Sequence, residues 1–490
     1  MTAAGLLGLD VGTTAVKGVA LSPAGDPLAV AEASYPLRTP RPGWAEQDPE
    51  DWWRATQQVL GRLTQSVTEV LAIGFSGQMH GLVCLDEQDR VIRPAILWND
   101  QRTAAECEAI EKAIGLQRLI QLTGNRALPG FTAPKLLWLR SQEPASFARI
   151  RHVMLPKDYI RFRLTGERAM DVTDASGTLL LEVAARRWST EVLEGLELPP
   201  SWLPRLLEST EPAGRAPNGS PVAAGAGDQA AAAIGVGIDR PGPLSVVLGT
   251  SGVVFAVLRN YAPEPEGRAH TFCHAVPGTW HAMGVMLSAA GSLRWFRDTL
   301  APGLDYEALL AEAAASPAGA GGLLFLPYLA GERTPHVDPA ARGTFHGLSL
   351  QHDRGALTRS VLEGVAFGLR DCLELLRGLG VGSAVGRASG GGARSKFWLR
   401  VVASVLGISL EVSTVEESSA LGAAMLGGVA ARVFADVPQA VSVCVRLKPG
   451  AEPDRDWLPV YEDGYARFRS LYPALRALRP PLVASADGSG

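Results

Sequence analysis

The sequence predicts an α/β protein made of two related domains. The chain has 490 residues, too many for one ordinary hydrophobic core, and at about 150 residues per domain it suggests two or three domains. Residues 6–21 have the pattern of a strand, a glycine turn and a second strand, and residues 244–258 repeat that pattern in the second half. Each hairpin is followed by segments with helical periodicity.

The composition is typical of a compact globular protein that binds small molecules. Hydrophobic residues make up 47% of the chain and charged residues 20%. A net charge of −4 offers no basic surface for a phosphate backbone, which disfavours a nucleic-acid partner. The apolar N-terminus is interrupted by Asp10, and no apolar run reaches the roughly 18 residues of a membrane span. We therefore expect a cytoplasmic protein without a membrane partner.

Local signals predict further elements in both halves. Asp48 and Pro49 are a typical cap and first residue of a helix, which we expect to run to about Val67, with a strand over 70–75. Residues 211–224 look irregular, and we place the domain boundary near residue 240, giving domains 1–240 and 241–478. A long helix is expected over 353–379, a small-residue loop over 311–322 and a disordered tail over 479–490.

The two glycine turns are candidate phosphate cradles. The chain lacks the Gly-x-x-x-x-Gly-Lys-[Ser/Thr] motif, so ATP would have to be bound without a P-loop. Glycines let backbone N–H groups approach phosphate oxygens, and neighbouring hydroxyls add donors. Lys17 follows the first turn and adds a positive charge. The candidate turn residues are Gly12, Thr13, Thr14, Gly249, Thr250, Ser251 and Gly252.

Asp10 is a candidate for organising a divalent cation. It lies at the end of the first predicted strand, where its carboxylate would repel a nucleotide phosphate unless a cation stood between them. We therefore expect Mg²⁺ near Asp10, held through water. The alternative is an ordinary turn in which Asp10 accepts bonds from backbone amides.

Asp228 lies in a segment that allows two interpretations. Residues 225–230 fit Gly-x-Gly-x-x-Ala, which could indicate a dinucleotide-dependent oxidoreductase. An aspartate inside that loop would face the pyrophosphate, and Asp239 comes too early for the expected ribose-binding acid. Asp228 suits a general base that takes a proton from a sugar hydroxyl, with a helix N-cap as the structural alternative.

Two further segments offer ligand contacts. Residues 390–393, Gly-Gly-Gly-Ala, form a turn before a predicted helix and would let a flat ligand lie against the backbone. The nucleotide-site candidates in that turn are Gly390, Gly391, Gly392 and Ala393. His80 follows a strand end and a glycine, where it can reach a polar ligand, although a lone histidine is more often structural.

Taken together, these motifs resemble the FGGY carbohydrate kinases over nearly the whole chain. The matching segments, in order, are 10–14, 77–81, 96–100, 129–135, 155–159, 227–229, 248–252, 325–335 and 390–394. The resemblance implies two ribonuclease-H-like domains of the actin and hexokinase type that flank a catalytic cleft. It also implies a sugar held mainly by the first domain and ATP held mainly by the second.

Within the family, the resemblance is strongest to members that phosphorylate D-xylulose at C5, using ATP and Mg²⁺. Carried over by motif, Met79 and His80 would contact the sugar, Asp228 would be the catalytic base, and Asp10 would organise Mg²⁺ and the phosphates. One departure is Gln229, beside the base, where many D-xylulose kinases have asparagine; Gly-Asp-Gln also occurs in glycerol kinases. Another ketose, a polyol or glycerol therefore stays open, as do a non-catalytic sugar-binding protein and a homodimer.

Overall fold

The computed structural model describes residues 3–478 and confirms the predicted α/β class. The predicted disordered tail, 479–490, lies outside the described residues. Two seven-stranded sheets form the centre of the molecule, one in each half of the chain.

The strands are β1 Ala3–Val11, β2 Ala15–Leu21, β3 Pro27–Ser34, β4 Glu46–Gln47, β5 Val67–Gly77, β6 Val83–Leu85, β7 Ala95–Ile96, β8 His152–Met154, β9 Ala169–Asp171, β10 Leu181–Glu182, β11 Arg187–Trp188, β12 Arg205–Leu207, β13 Pro212–Arg215, β14 Pro221–Ala223, β15 Ala226–Gly227, β16 Leu244–Leu248, β17 Gly252–Leu258, β18 His270–Cys273, β19 Trp280–Met286, β20 Leu324–Leu326, β21 Thr344–His346, β22 Val385–Ser389, β23 Ser409–Ser413 and β24 Leu447–Ala451.

The α-helices are α1 Pro49–Thr64, α2 Ala104–Ile114, α3 Leu116–Thr123, α4 Thr132–Gln142, α5 Pro144–Arg149, α6 Pro156–Thr165, α7 Val172–Ser176, α8 Thr190–Gly195, α9 Asp228–Gly235, α10 Ala290–Leu300, α11 Tyr306–Ala315, α12 Arg354–Gly378, α13 Lys396–Leu406, α14 Ser418–Ala430, α15 Val437–Cys444 and α16 Leu458–Arg476. Short 3₁₀ turns span Pro200–Trp202, Ala320–Gly322 and Gly391–Arg394.

Both sheets are built on the same plan. In the first, β1, β2 and β3 form an antiparallel meander, and β1 also pairs in parallel with β5. In the second, β16, β17 and β19 form the meander, and β16 pairs in parallel with β22. The two glycine-turn hairpins predicted from the sequence are thus the first hairpin of each sheet, and the repeated plan confirms the predicted pair of ribonuclease-H-like sheets.

Helix α14 comes from the second half of the chain but packs on the first sheet, against β1 and β5 and beside α9. Glycines make this close approach possible: a Cβ on Gly8 would overlap the carbonyl oxygen of Ala420, and one on Gly74 would overlap that of Ala423. Apolar residues of α14, including Leu421 and Met425, complete the core on that face. The covering of the first sheet therefore depends on residues far along the chain.

Several local predictions hold and others are wrong. Asp48 caps α1 through the Glu50 N–H, but the helix ends at Thr64 because β5 already begins at Val67. Residues 211–224 are not irregular: β13 and β14 form an edge hairpin with Pro217 and Gly219 in its turn, and the other Pro and Gly residues lie in the strands or beside them. The predicted loop over 311–322 is wrong in its first part, because the alanines there end α11, which Asp305 caps. The boundary near residue 240 lies between α9 and β16 and stays a prediction.

Among the described helices, none combines the length and the apolar character that crossing a bilayer requires.

Candidate active site

The register of three strands brings the two predicted catalytic aspartates together. Asp10 on β1 lies opposite Ser76 on β5, and Ser76 lies opposite Ala226 on β15. Neighbouring strands are about 4.8 Å apart. Asp228 follows Ala226 by two residues, so both carboxylates lie at the same end of the sheet.

Both carboxylates are largely shielded from solvent, and no cationic side chain among the described residues is bonded to them. The Ser76 hydroxyl donates to Asp10 Oδ1 at 3.0 Å. Burial raises the pKa of Asp10 to about 6, against an ordinary value of 3.8. Burial and the negative charge of Asp10 raise the pKa of Asp228 to about 7. Two repelling carboxylates in this arrangement would be stabilised by a divalent cation.

Asp228 is the first residue of α9, and its side chain does not cap the helix. The N-cap position is Gly227, and no side-chain bond to a helix N–H is made there. The alternative interpretation of Asp228 as an N-cap is therefore wrong, and the hydrogen bonds that lower the pKa of its carboxylate come from the backbone and side chain of Gln229. Gln229 approaches it, with Nε2 3.4 Å from Asp228 Oδ1.

The first turn is held by side chains that bind its carbonyl groups. Gln78 donates to the Gly12 carbonyl at 3.2 Å and Gln47 to the Thr13 carbonyl at 2.7 Å. The Trp98 indole donates to the Thr13 hydroxyl at 2.9 Å. Because that hydroxyl already accepts a bond, its own proton is available for an acceptor such as a phosphate oxygen. Thr14 uses its carbonyl to bind the N–H of Tyr35.

Lys17 lies near the first turn but is paired with a residue of the second half. Its ammonium lies 3.1 Å from the Glu417 carboxylate, and this partner helps to raise the pKa of Lys17 against the opposing effect of burial. Lys17 and Glu417 line a cavity of about 420 Å³ together with Gly390, Gly391 and Ala393. The first sheet and the glycine turn at 390–393 thus meet at one cavity.

The second glycine turn, at residues 249–252, packs beside the cavity that Lys17 and Gly390 line, but it does not line that cavity itself. Gly390 has φ +85°, and a Cβ there would lie 2.7 Å from the Leu248 carbonyl group, so β16 and the glycine turn are in close contact. Gly392 packs behind the cavity on Leu248. Gly249 and Thr250 use their carbonyls to bind the N–H groups that precede and open α10. Of the predicted nucleotide residues, Lys17, Gly390, Gly391 and Ala393 line the cavity, and the others lie outside the lining: Gly12, Thr13, Thr14, Gly249, Thr250, Ser251, Gly252 and Gly392.

Met79 and His80 extend from Asp228 into the first half. A Cβ on Gly227 would lie 2.8 Å from Met79 Cγ, and one on Gly177 would lie 2.6 Å from His80 Nδ1. His80 has φ +68°, a strained conformation for a residue other than glycine, and such strain is concentrated at functional sites. Its Nδ1 lies 2.6 Å from the Gly177 carbonyl, and burial lowers its pKa to about 3. The neutral ring therefore donates from Nδ1 and offers the Nε2 lone pair.

Lys135 holds His80 in place, a role that the sequence did not reveal. Its ammonium is fully buried and donates to the carbonyl oxygens of His80 and Gly130 at 2.8 and 2.7 Å. Thr132 donates to the same His80 carbonyl at 3.0 Å. The only sequence signal was that these residues lie in the matching segment 129–135.

A buried ionic cluster supports the strand that leads to Asp228. Lys157 lies 2.7 Å from Asp158, 2.6 Å from Asp171 and 3.3 Å from Asp174. Asp171 accepts from Thr173, whose hydroxyl accepts from the Gly227 N–H at 2.9 Å. The three carboxylates have the spacing of a metal site, but the Lys157 ammonium already supplies the cation. No separate signal in the sequence pointed to this support.

Comparison with known proteins identifies the family. Residues 6–235 match the N-terminal domain of the FGGY family of carbohydrate kinases, and residues 244–431 match its C-terminal domain. This chain belongs to the FGGY carbohydrate kinases. The family membership also removes the reason to interpret residues 225–230 as a dinucleotide-binding loop.

Individual FGGY relatives match over almost their full length. The chain is 42% identical to a xylulose kinase from Escherichia coli K12, covering 96% of this chain and 99% of the relative. Its structure is similar to that of a xyloylose kinase from Brucella ovis, with a TM-score of 0.92, 42% identity, and coverage of 97% and 100%. A xylulose kinase from Rhodospirillum rubrum gives a TM-score of 0.90 at 32% identity, covering 97% and 99%.

Proposed function

We propose that this FGGY kinase transfers the γ-phosphoryl group of ATP to the C5 hydroxyl of D-xylulose, giving ADP and D-xylulose 5-phosphate. The observation that carries the proposal is the pair formed by Asp10 and Asp228, in a chain 42% identical to a xylulose kinase over 96% of its length. The alternatives without catalysis would not require two poorly hydrated carboxylates at the meeting point of the halves.

Asp228 is the general base of the proposed reaction. A base is most effective when its pKa lies near the working pH, and the pKa of Asp228 is raised to about 7. Its carboxylate accepts the proton of the C5 hydroxyl as the oxygen attacks the γ-phosphorus. The bond from that phosphorus to the bridging oxygen breaks, and ADP leaves. Phosphoryl transfer otherwise depends mainly on positioning and charge stabilisation.

Asp10 is the residue that would hold Mg²⁺, through water. The fit rests on a part-buried carboxylate whose one side-chain hydrogen-bond partner among the described residues is the Ser76 hydroxyl, beside a second carboxylate at Asp228. Bound Mg²⁺ would neutralise charge on the phosphates. On the protein side, the Thr13 hydroxyl would donate to a phosphate oxygen, and Gly390 to Ala393 would let the nucleotide lie against the backbone.

Met79 and His80 would hold the sugar. Met79 packs on Gly227 and so limits the space next to the base, while the Nε2 lone pair of His80 accepts from a sugar hydroxyl. Gln229 is the proposed source of any departure in sugar choice, because its amide reaches the Asp228 carboxylate. The homodimer stays a prediction.

The test is a coupled assay of ADP release with ATP and Mg²⁺. D-xylulose, L-xylulose, D-ribulose, L-ribulose, glycerol and a sugar-free sample are compared for the parent protein, for Asp228→Asn and for Asp239→Asn. Asp239 is a matched control, a buried aspartate paired with Arg240. We expect turnover that depends on D-xylulose and falls at least about 10³-fold in Asp228→Asn only. Higher turnover with glycerol or another sugar would contradict D-xylulose as the substrate. An active Asp228→Asn variant would contradict the role of Asp228 as the general base.

A further inference from the structure

Arg333 is a cation that the reaction described above does not use. Burial lowers the pKa of its half-buried guanidinium, whose one side-chain hydrogen bond within residues 3–478 runs from Nη1 to His270 Nε2 at 3.4 Å. The neighbouring Glu332 carboxylate is occupied elsewhere: it accepts from the backbone N–H groups of Leu287 and Arg333 at 2.9 and 2.8 Å. Part-buried cations without a bonded carboxylate are costly and are often retained for a ligand.

The hydrogen bonds around His270 show which of its ring nitrogens carries the proton and which offers a lone pair to Arg333. Asn125 donates through Nδ2 to two backbone carbonyls, so its Oδ1 is the atom that faces His270 Nδ1 at 2.6 Å. His270 therefore donates from Nδ1 and is neutral, with its Nε2 lone pair directed at Arg333. A neutral ring does not cancel the guanidinium charge. It orients the group and leaves most of its five N–H donors for another acceptor.

Arg333 lies at the end of the sugar site that is remote from the base. Gly227, next to Asp228, packs on Met79, and Gly177 packs on both Met79 and His80. The His80 ring contacts Phe131 with centroids 4.6 Å apart, and Phe131 contacts His270 at 5.9 Å. The charge of Arg333 is close enough to lower the pKa of both histidines. The contacts thus run from the base to Met79 and His80, and from His80 through Phe131 and His270 to Arg333.

The chemistry of a ketopentose gives this cation a specific partner. In the furanose ring of such a sugar, the C5 oxygen is bonded to C2, so that form has no C5 hydroxyl to phosphorylate. The reactive species is the open chain, which carries a ketone oxygen at C2, at the opposite end from C5. A guanidinium is a strong donor to such an oxygen.

We propose that Arg333 donates hydrogen bonds to the C2 carbonyl oxygen of the open-chain ketose, while Asp228 receives the C5 hydroxyl at the other end. This inference rests on the proposed function and adds to it a source of selectivity for ketoses over polyols. A polyol offers a tetrahedral hydroxyl in place of the planar carbonyl, so its oxygen fits the planar fork of donors less well and brings a proton that needs an acceptor of its own. Sites that hydrogen-bond a particular substrate group discriminate strongly against analogues that lack it.

The experiment compares D-xylulose with xylitol, the alcohol in which the C2 carbonyl is reduced. The parent protein, Arg333→Met and Arg333→Lys are assayed. Arg342→Met is the control, because Arg342 is exposed and its side chain, within the described part of the chain, bonds only to backbone carbonyls. We expect kcat/KM for D-xylulose to fall about 10- to 100-fold in Arg333→Met, the range for a lost charged hydrogen bond. We expect kcat/KM for xylitol to fall far less, so that the ratio of kcat/KM for D-xylulose to kcat/KM for xylitol decreases strongly in this variant.

Rescue distinguishes substrate binding from structural support. In Arg333→Ala, added guanidinium ion restores turnover of D-xylulose if the missing group acts on the substrate, and thermal melting shows whether each variant folds. Equal losses with ketose and alcohol, or no loss with D-xylulose, would overturn the proposal. If the parent protein does not phosphorylate D-xylulose, the proposed function is wrong, whatever Arg333 does. The comparison is then made with the ketose that the protein prefers and with the alcohol of that ketose. A preference for the alcohol would overturn the role of Arg333.

Discussion

At the scale of single residues, the site depends on charges that the protein keeps out of water. Asp10 and Asp228 repel each other, and Arg333 bonds to a neutral histidine. Both arrangements are unfavourable in the empty protein and become favourable when a ligand or cation supplies the missing partner. Ligand binding should therefore be strongly coupled to the stability of the folded chain.

Asp228→Asn should stabilise the ligand-free protein in a pH-dependent way. The pKa of Asp228 rises from 3.8 to about 7 on folding, so the folded state retains a proton that the unfolded chain releases. The destabilisation by Asp228 is absent below the unfolded pKa, grows as the pH rises towards about 7, and is then constant at roughly 4 kcal/mol. Thermal melting at pH 4.5 and pH 8 should show the larger gain in Tm at pH 8, and an equal gain at both would contradict the raised pKa.

Asp10→Asn should weaken the use of Mg-ATP more than the binding of sugar. The carboxylate that is lost is the one assigned to the cation, while Met79 and His80 are untouched. We expect the Mg²⁺ concentration for half-maximal activity to rise at least about tenfold, as for the loss of a charged partner. Titrating Mg²⁺ at saturating D-xylulose measures this, with Asp26→Asn, an exposed aspartate in a turn, as the control. A normal Mg²⁺ dependence would remove Asp10 from the mechanism.

At the scale of elements, the sequence predicted the glycine-turn hairpins and the long helix α12, but it did not predict the edge hairpin or the contacts between residues far apart in the chain. Gly12 and Gly249 lie between apolar strands, and Asp353 caps α12, so purely local signals placed these elements. The edge hairpin β13–β14 was missed because its Pro and Gly residues give the same signal as a linker. The supporting roles of Lys135 and Thr173 were missed because their partners, His80 and Gly227, lie 55 and 54 residues away.

The contact of α14 with the first sheet predicts a sharp difference between glycines. Gly74→Ala would place a Cβ on the Ala423 carbonyl and separate α14 from β5, whereas a Cβ on Gly61, in α1, would meet nothing within 4 Å. We expect Gly74→Ala to destabilise the fold by about 1 to 3 kcal/mol and Gly61→Ala to stabilise it by up to about 1 kcal/mol. Urea unfolding measures both, and a neutral Gly74→Ala would contradict the close packing.

At the scale of the whole molecule, the two halves share both the site and the core. Asp10, His80 and Asp228 come from the first half, while Arg333 and the turn at 390–393 come from the second. Helix α14 covers a face of the first sheet, and Asn125 bonds to the Thr271 carbonyl across the halves. The sequence predicted the two sheets from their repeated hairpins but not this exchange, because close packing of small residues leaves no periodic pattern.

A fragment comprising residues 1–240 should therefore fail to fold cooperatively. Without α14, apolar residues such as Leu6 and Ala72 on one face of the first sheet would be exposed to water. Circular dichroism and urea unfolding of the fragment, beside the full chain, should show a broad transition and aggregation. A sharp cooperative transition would contradict the dependence on α14.

The proposed mechanism depends most on the direction in which the sugar lies, with its C5 hydroxyl at Asp228 and its carbonyl end at His80 and Arg333. The most direct test is to incubate the protein with ATP, Mg²⁺ and ¹³C-labelled D-xylulose and to locate the phosphate by carbon–phosphorus coupling in the NMR spectrum of the product. We expect coupling at C5 and C4 only. Coupling at C1 and C2, or an unmodified sugar, would contradict it.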